Sequence, residues 1–276
     1  MALTTRRRFI GGAWALAATA AMTAAGGAIS LGAFAQTSTE TPMKGVKALF
    51  FDVFGTVVDW RNGVARESRI ILEPLGFKLD WIAFADAWRA EYQPGMEEVR
   101  SGKIPFAKLD VIHRRMLERI RGRFGLEQVE ESVLAELNLA WHRLDVWKDV
   151  PAGMQALHRK ALLAPCSNGN ISLMVDLARR NGIPWDAILG AEIAGDYKPK
   201  PRVYLAACEA LSLKPEQCMM VAAHSNDLAA AGAAGLRTAH VSRPDEFGPG
   251  TGEAGPTGPV DIAVKSFEAL AEKLAG

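Results

Sequence analysis

Three short apolar runs of the sequence each end at polar residues whose types suit hydrolytic chemistry. These residues are Asp52 after the first run, Ser167 and Asn168 after the second, and His224 and Asp227 after the third. In an open α/β sheet, ligands bind at the edge where the carboxyl ends of the strands lie. We therefore expect these side chains to meet at one site. A carboxylate such as Asp52, held against its target, can act as a nucleophile.

The elements that position these residues are expected to form a parallel sheet with helices on both faces. Apolar runs typical of buried strands lie at residues 46–51, 162–166, 219–223, 238–241 and 262–264. Segments with the apolar spacing of helices separate the later runs. This alternation predicts an α/β fold with a Rossmann-like parallel-sheet core.

Two local features of this core can be predicted as well. Pro165 interrupts the second apolar run, and we expect it at the end of its strand because proline donates no ladder hydrogen bond. Residues 244–260 contain many Gly and Pro residues, which predicts a surface loop.

Residues 61–144 are expected to form an all-helical cap subdomain inserted after the first strand. Apolar residues such as Leu109 and Ile112 recur at three- and four-residue spacing, and no strand-like run interrupts the block. The Rossmann-like core then comprises residues 46–60 and 145–276.

Residues 1–35 have the pattern of an export signal. Arg6, Arg7 and Arg8 precede a long uncharged run, and Ala33-Phe34-Ala35 offers a small-x-small cleavage site. The paired arginines resemble twin-arginine signals, so we expect cleavage, a periplasmic location and no stable membrane association afterwards. An N-terminal membrane anchor is the alternative, although a run rich in Ala and Gly and poor in Leu favours spanning only weakly.

Charge and cysteine content exclude some classes of function. The 276 residues include 32 basic and 31 acidic side chains, a formal net charge of +1, and no basic block lies in the body of the chain. Nucleic-acid binding therefore has no electrostatic support. Cys166, Cys208 and Cys218 lack the spacing of metal ligands and have apolar neighbours, which predicts buried thiols. A Cys208–Cys218 disulfide stays open, because export would permit one.

Four motifs resemble those of the haloacid dehalogenase superfamily, in the order that the superfamily requires. The segment from Asp52 to Thr56 is similar to the first motif, D-x-x-x-[TV], whose aspartate is the covalent nucleophile. Ser167 matches the hydroxyl residue of the second motif, Lys198 the cation of the third and Asp227 the acid of the fourth. The resemblance implies that Ser167 binds the charged group of the substrate and that Lys198 keeps Asp52 ionised.

The second residue after the nucleophile separates the branches of this superfamily. Phosphatases typically carry a general acid there, whereas this chain has Phe54, which cannot protonate a leaving alkoxide. A halide leaves without a proton. Phe54 therefore resembles the aromatic residue of the L-2-haloacid (type II) dehalogenases.

Further residues resemble type II dehalogenases. Arg89 lies in a Trp-Arg-x-x-Tyr segment similar to the region whose arginine contacts substrate and departing halide. Asn168 is expected to assist Arg89 at the halide. Tyr204 occupies the position that places a tyrosine near the catalytic carboxylates.

One segment departs from the type II pattern. Well-known members read Ser-Ser-Asn-x-x-Asp where this chain reads Ala222-Ala223-His224-x-x-Asp227. His224 thus replaces an asparagine that helps to bind the oxygens of the nucleophile. Two interpretations stay open: His224 positions water or the ester carbonyl, or it caps the following helix.

The sequence predicts hydrolysis of short 2-haloalkanoic acids to 2-hydroxy acids through an ester on Asp52, with Asp227 activating water. No cofactor or metal is expected, and the small-molecule acid is the expected partner. The alternative is a Mg²⁺-dependent phosphatase, since Asp52 and Asp227 offer oxygen ligands. A non-catalytic exported binding protein is a third hypothesis. Homodimers are common in the superfamily, and the apolar helical block is compatible with one.

Overall fold

A parallel six-stranded sheet forms the centre of the computed structural model, which describes residues 45–274. Its strands are β1 (Ala48–Phe51), β2 (Leu162–Ser167), β3 (Leu189–Gly190), β4 (Cys218–Ala222), β5 (Arg237–Val241) and β6 (Ile262–Val264). Their order across the sheet is β3-β2-β1-β4-β5-β6, and every neighbouring pair is parallel. The prediction of a Rossmann-like α/β core is confirmed. Strand β3, two residues long, is too short to give an apolar run.

The central strand β1 is buried because alternate residues enter hydrophobic clusters on opposite faces of the sheet. Leu49 and Phe51 belong to one cluster, and Ala48 and Phe50 belong to the other. All four residues are completely buried, as expected for a strand covered by helices on both sides. This burial explains why β1 reads as a continuous apolar run.

Six α-helices lie between β1 and β2, of which the first five form the insertion, and five α-helices follow β2. The inserted helices are α1 (Trp60–Leu72), α2 (Trp81–Ala90), α3 (Tyr92–Arg100), α4 (Leu109–Ile120) and α5 (Glu131–Asn138). The later helices are α6 (Val150–His158), α7 (Ile171–Asn181), α8 (Ala191–Ala194), α9 (Pro201–Ala210), α10 (Ser225–Ala233) and α11 (Phe267–Lys273).

The helical insertion is tied to the sheet by paired chain segments and by a polar cluster. Where the chain enters and leaves the insertion, Asp59 N donates to Asp145 O at 2.9 Å, and Trp147 N donates to Val57 O at 3.1 Å. On the side of α4, His142 lies 3.0 Å from Asp110 on α4 and 2.7 Å from Asp176 on α7. These contacts hold the insertion over the carboxyl ends of the strands.

Pro165 does not lie at the end of its strand, so that prediction is wrong. It is the fourth of six residues in β2 and pairs with Phe51 of β1. The backbone of Leu163, two residues earlier, faces Asp186 on the β3 side. Pro165 faces the same side, where β3 begins only at the level of Cys166. The missing N–H therefore breaks no ladder hydrogen bond.

The segment 244–260 contains neither helix nor strand, but it is not wholly a surface loop. Glu246 is buried, with 2% of the residue exposed. The loop therefore carries a charged side chain into the interior, which Gly and Pro content cannot reveal.

The signal sequence predicted for residues 1–35 lies outside the described residues. Within residues 45–274, no helix is long and apolar enough to span a bilayer. Cys166, Cys208 and Cys218 are buried and carry free thiols.

Candidate active site

Asp52 lies directly after β1, at the carboxyl edge of the sheet. Its backbone N–H donates to Val221 O of β4 at 3.0 Å, so the ladder extends to this residue and fixes its position. The side chain is 13% exposed, and it opens into a cavity of about 920 Å³ beneath the inserted helices. Asp52 therefore occupies the place where such sheets bind ligands.

Three donors hold the Asp52 carboxylate. Lys198 Nζ donates to Oδ1 at 3.0 Å, and the Thr56 hydroxyl donates to Oδ2 at 2.7 Å. His224 Nδ1 lies 3.0 Å from the same Oδ2 atom. Burial by itself would raise the pKa of Asp52, but Lys198 and His224 outweigh it and hold this pKa far below its usual range. Asp52 is thus ionised and available as a nucleophile.

Lys198 lies between two carboxylates. Its Nζ donates to Asp227 Oδ2 at 2.6 Å as well as to Asp52, and the Tyr204 hydroxyl donates to Asp227 Oδ1 at 2.6 Å. Burial lowers the pKa of Lys198, but Asp227 and Asp52 raise it above its ordinary value, so Lys198 stays charged. Burial, opposed by Lys198 and reinforced by Asp52, raises the pKa of Asp227. Asp227 is therefore a stronger base than an exposed carboxylate.

His224 bridges Asp52 and a carboxylate that the sequence did not reveal. Its Nε2 lies 2.8 Å from Glu246 Oε2, and Trp60 Nε1 donates to Glu246 Oε1 at 2.9 Å. Burial lowers the pKa of His224, whereas Asp52 and Glu246 raise it, with a net value of about 10. His224 precedes α10, and its side chain makes no capping hydrogen bond in the described structure. Its side chain faces the nucleophile instead.

Gly55 makes room for Glu246. Its φ is +88°, and a Cβ atom there would overlap the Glu246 carboxylate. Glu246 could not be recognised from the sequence, because a single acid in a Gly- and Pro-rich loop has no distinguishing pattern. A glycine three residues after the nucleophile could have signalled the close approach of another group.

Arg89 on α2 presents a cation to the cavity. Its guanidinium carbon lies 3.8 Å from the ring centroid of Tyr92 and 5.2 Å from that of Trp60. Its Nη1 atom is buried and has no hydrogen-bond partner within residues 45–274. Arg89 lines the cavity, and a guanidinium at a cavity wall is suited to bind an anion.

Phe54 belongs to an aromatic wall. It makes edge contacts with Tyr92, His113 and Trp141, at centroid distances of 6.4, 6.2 and 5.9 Å. The residue is 2% exposed and lines the cavity. At Phe54 itself, where phosphatases typically carry a general acid, the wall presents a ring that cannot protonate a leaving alkoxide.

The remaining predicted residues fall into two groups. Asn168 and Tyr204 line the cavity, and Asn168 Oδ1 accepts a hydrogen bond from the Lys198 backbone at 2.9 Å. Ser167 is buried, and its Oγ accepts from Gly169 N at 3.0 Å; the cavity lining, where the chain is described, includes neither Ser167 nor Thr56. The roles given to these residues stay predictions.

The cations and carboxylates alternate across the floor of the cavity. Among the described residues, no group of three or more His, Cys, Asp or Glu side chains is arranged to hold a metal ion. The geometry combines an ionised carboxylate at Asp52, a cation at the cavity wall and a second buried carboxylate with a raised pKa. This arrangement can perform nucleophilic displacement followed by hydrolysis.

Comparisons with known proteins find similarity to haloacid dehalogenases and, in part, to phosphatases. A solved structure described as the defluorinating L-2-haloacid dehalogenase Rha0230 is 42% identical, covers 84% of this chain and 96% of its own, and has a TM-score of 0.81. (S)-2-haloacid dehalogenase 1 of Pseudomonas sp. (strain CBS-3) is 26% identical over 215 residues, 74% of this chain and 89% of the relative. A phosphoglycolate phosphatase of Aquifex aeolicus (strain VF5) is 26% identical over 200 residues, 70% of this chain and 84% of the relative.

A protein-family model also matches this chain. The model for the haloacid dehalogenase-like hydrolases matches residues 46–235, which include β1 to β4 and all the inserted helices. This chain belongs to the family of haloacid dehalogenase-like hydrolases.

Proposed function

We propose that this protein hydrolyses short 2-haloalkanoic acids to 2-hydroxy acids. One observation carries the proposal. Asp52 is ionised and lies in a cavity, and Phe54 occupies the nearby position where phosphatases carry a general acid. A carbon–halogen bond needs a nucleophile and a site for the anion, but no proton donor. The similarity to L-2-haloacid dehalogenases supports the same reaction.

In the first step, Asp52 attacks C2 of the substrate and displaces the halide with inversion at that carbon. The electron pair of the carbon–halogen bond leaves with the halide. Arg89 and Asn168, which both line the cavity, bind the departing halide. The aromatic wall around Phe54 keeps water away from the carboxylate, and an electrostatic interaction is stronger in such a site.

In the second step, water hydrolyses the aspartyl ester at the Asp52 carbonyl carbon. Asp227 is the base for this water, because its pKa is raised by burial, while Lys198 stays protonated. Tyr204 stays neutral, since burial and the neighbouring Asp227 raise its pKa. Bond cleavage at the ester carbonyl releases the 2-hydroxy acid and restores the nucleophile.

The phosphatase alternative is less well supported by the same residues. Lys198 contacts both carboxylates but does not separate the two alternatives, because it matches a motif that the whole superfamily shares. Phe54 removes the acid that an alkoxide would need.

Single turnover in ¹⁸O-labelled water tests the proposal. With excess enzyme and L-2-chloropropionate, we expect the label in Asp52 and not in the first product molecule, because water attacks the ester carbonyl. Asp52→Asn should reduce halide release by roughly 10⁴-fold or more, since the nucleophile is lost. Phosphate release that requires Mg²⁺, with no halide released, would establish the phosphatase instead.

We also propose that the protein is exported through a twin-arginine signal at residues 1–35. The support is the arginine cluster, the uncharged run and the Ala33-Phe34-Ala35 site. Intact mass of the protein from a periplasmic fraction tests this; a mass that retains the first residues would argue for an anchor.

A further inference from the structure

Glu246 is a buried carboxylate for which the scheme above has no role. Its side chain is 1% exposed, and both oxygens are engaged, Oε1 by Trp60 Nε1 and Oε2 by His224 Nε2. Gly55 contacts it from the side of the nucleophile loop. A carboxylate held so closely fixes the orientation of the His224 ring.

The other ring nitrogen of His224 faces one particular oxygen of the nucleophile. Nδ1 and the Thr56 hydroxyl both contact Asp52 Oδ2, at 3.0 and 2.7 Å, whereas Lys198 contacts Oδ1. Oδ1 accepts one hydrogen bond and Oδ2 accepts two, so the lone pairs of Oδ1 are more available for attack. After alkylation at Oδ1, Oδ2 becomes the ester carbonyl oxygen. It then faces two donors at the distances typical of an oxyanion hole.

We propose, on the basis of the proposed dehalogenation, that Glu246 is a positioning residue that keeps His224 protonated on both nitrogens in the ester intermediate. His224 and Thr56 then stabilise the oxyanion that forms on Asp52 Oδ2. His224 is in this account a catalytic residue of the second step, whereas Glu246 acts only through it.

The need for Glu246 follows from the charge that alkylation removes. Esterified Asp52 is neutral, so one of the two anions in contact with His224 disappears, and burial would then favour neutral imidazole. Glu246 is unchanged by the reaction and remains the counter-ion. Several ionisable groups surround His224. They are Asp52 after β1, His240 on β5, Glu246 and Glu253 in the loop after β5, and Asp227 on α10, with Lys198 beyond Asp52.

The step balances without a co-reactant other than water. Water loses a proton to Asp227 and attacks the Asp52 carbonyl carbon, and the carbonyl electron pair moves to Oδ2. When the carbonyl re-forms, the bond from carbon to Oδ1 breaks, and the departing alkoxide takes the proton from Asp227. The regenerated Asp52 carboxylic acid releases its proton to solvent. His224 keeps its protons throughout.

Glu246→Gln tests the proposal, because the amide has the same shape but supplies no charge. The probe is L-2-chloropropionate in rapid-quench experiments that separate the first burst of halide from the steady-state rate. The matched control is Glu253→Gln, which removes a carboxylate of the same loop that bonds to Ser225 and not to His224. Intact mass spectrometry detects the ester, and steady-state rates are followed from neutral pH to about 10.

We expect Glu246→Gln to keep the burst, to accumulate the ester and to lower the steady-state rate on the order of 100-fold, a typical effect of losing an oxyanion donor. The alkaline pH at which the rate falls should shift lower in this variant and stay unchanged in Glu253→Gln. Unchanged ester hydrolysis in Glu246→Gln would overturn the proposal. A wild-type rate of ester hydrolysis that rises steadily with pH would also overturn it, because His224 would then act as a base. This measurement uses only the wild type and does not depend on whether a variant folds. Absence of any halide release by the wild type would instead refute the proposed function.

Discussion

At the scale of single residues, the site is organised by alternating charge. Lys198 lies between Asp52 and Asp227, and His224 lies between Asp52 and Glu246. A buried charge is costly unless it is paired, and each cation here contacts two anions. The nucleophile is therefore held ionised from two sides, and its two oxygens have different donors.

The His224 charge predicts how stability depends on pH. Its pKa in the folded protein is about 10, above the ordinary histidine value of 6.5. The charged ring therefore stabilises the fold fully below pH 6.5, and this stability is lost as pH rises through about 10. The difference in unfolding free energy between wild type and His224→Gln should therefore decrease over this interval, by at most about 1.4 kcal/mol per pH unit. Urea unfolding at several pH values measures it.

His113 provides the control for that measurement. Burial lowers its pKa to about 3, so His113 is neutral in the folded protein throughout the interval. The effect of His113→Phe on the unfolding free energy should be the same at each pH above 6.5. A His224→Gln effect that is equally flat would contradict the ion-pair interpretation.

At the scale of elements, the site is built where turns after strands meet. The turn after β1 carries Asp52, Gly55 and Thr56, while His224 follows β4. The loop after β5 then returns to the turn after β1 through Glu246. Gly55 is one point at which these two loops pack closely against each other.

Substitution of Gly55 separates close packing from backbone strain. Gly55 and Gly76 have φ values of +88° and +93°, but a Cβ atom at Gly76 meets nothing within 4 Å. Both alanine variants should lose about 1–2 kcal/mol of unfolding free energy from the left-handed backbone. Gly55→Ala should lose roughly 1–3 kcal/mol more, from overlap with Glu246, and should slow ester hydrolysis. Equal losses in the two variants, measured by urea unfolding, would show that the contact contributes nothing.

At the scale of the whole molecule, the inserted helices and the sheet share one hydrophobic core. A single cluster joins Leu49 and Val221 of the sheet to Trp88 and Leu117 of the insertion. The polar bridge from Asp110 through His142 to Asp176 adds a second connection. A cap joined in this way is expected to lose its structure together with the core.

Equilibrium unfolding tests this cooperativity. Tryptophan fluorescence is weighted towards the insertion, which holds Trp60, Trp81, Trp88 and Trp141 of the seven tryptophans, and far-UV circular dichroism reports on the whole chain. We expect the two urea midpoints to coincide. A fluorescence transition at clearly lower urea would show that the insertion unfolds independently.

The sequence alone determined the sheet, the inserted helices and most of the polar residues at the site. Buried strands and amphipathic helices carry their own periodicity, and the residue that follows a parallel strand lies at the ligand edge. Asp52, Lys198 and Asp227 were therefore predictable from local pattern and motif. Phe54 indicated the class of reaction because its chemistry does not depend on its surroundings.

Only the tertiary structure decided which charged side chains pair with one another. Glu246 reaches His224 from 22 residues away, through a loop whose composition predicts nothing about burial. The position of Pro165 within its strand also depended on the neighbouring strand. A proline is tolerated there because β3 begins only beyond it. Contacts between distant segments are set by how the loops fold back on the sheet, and no local periodicity encodes that.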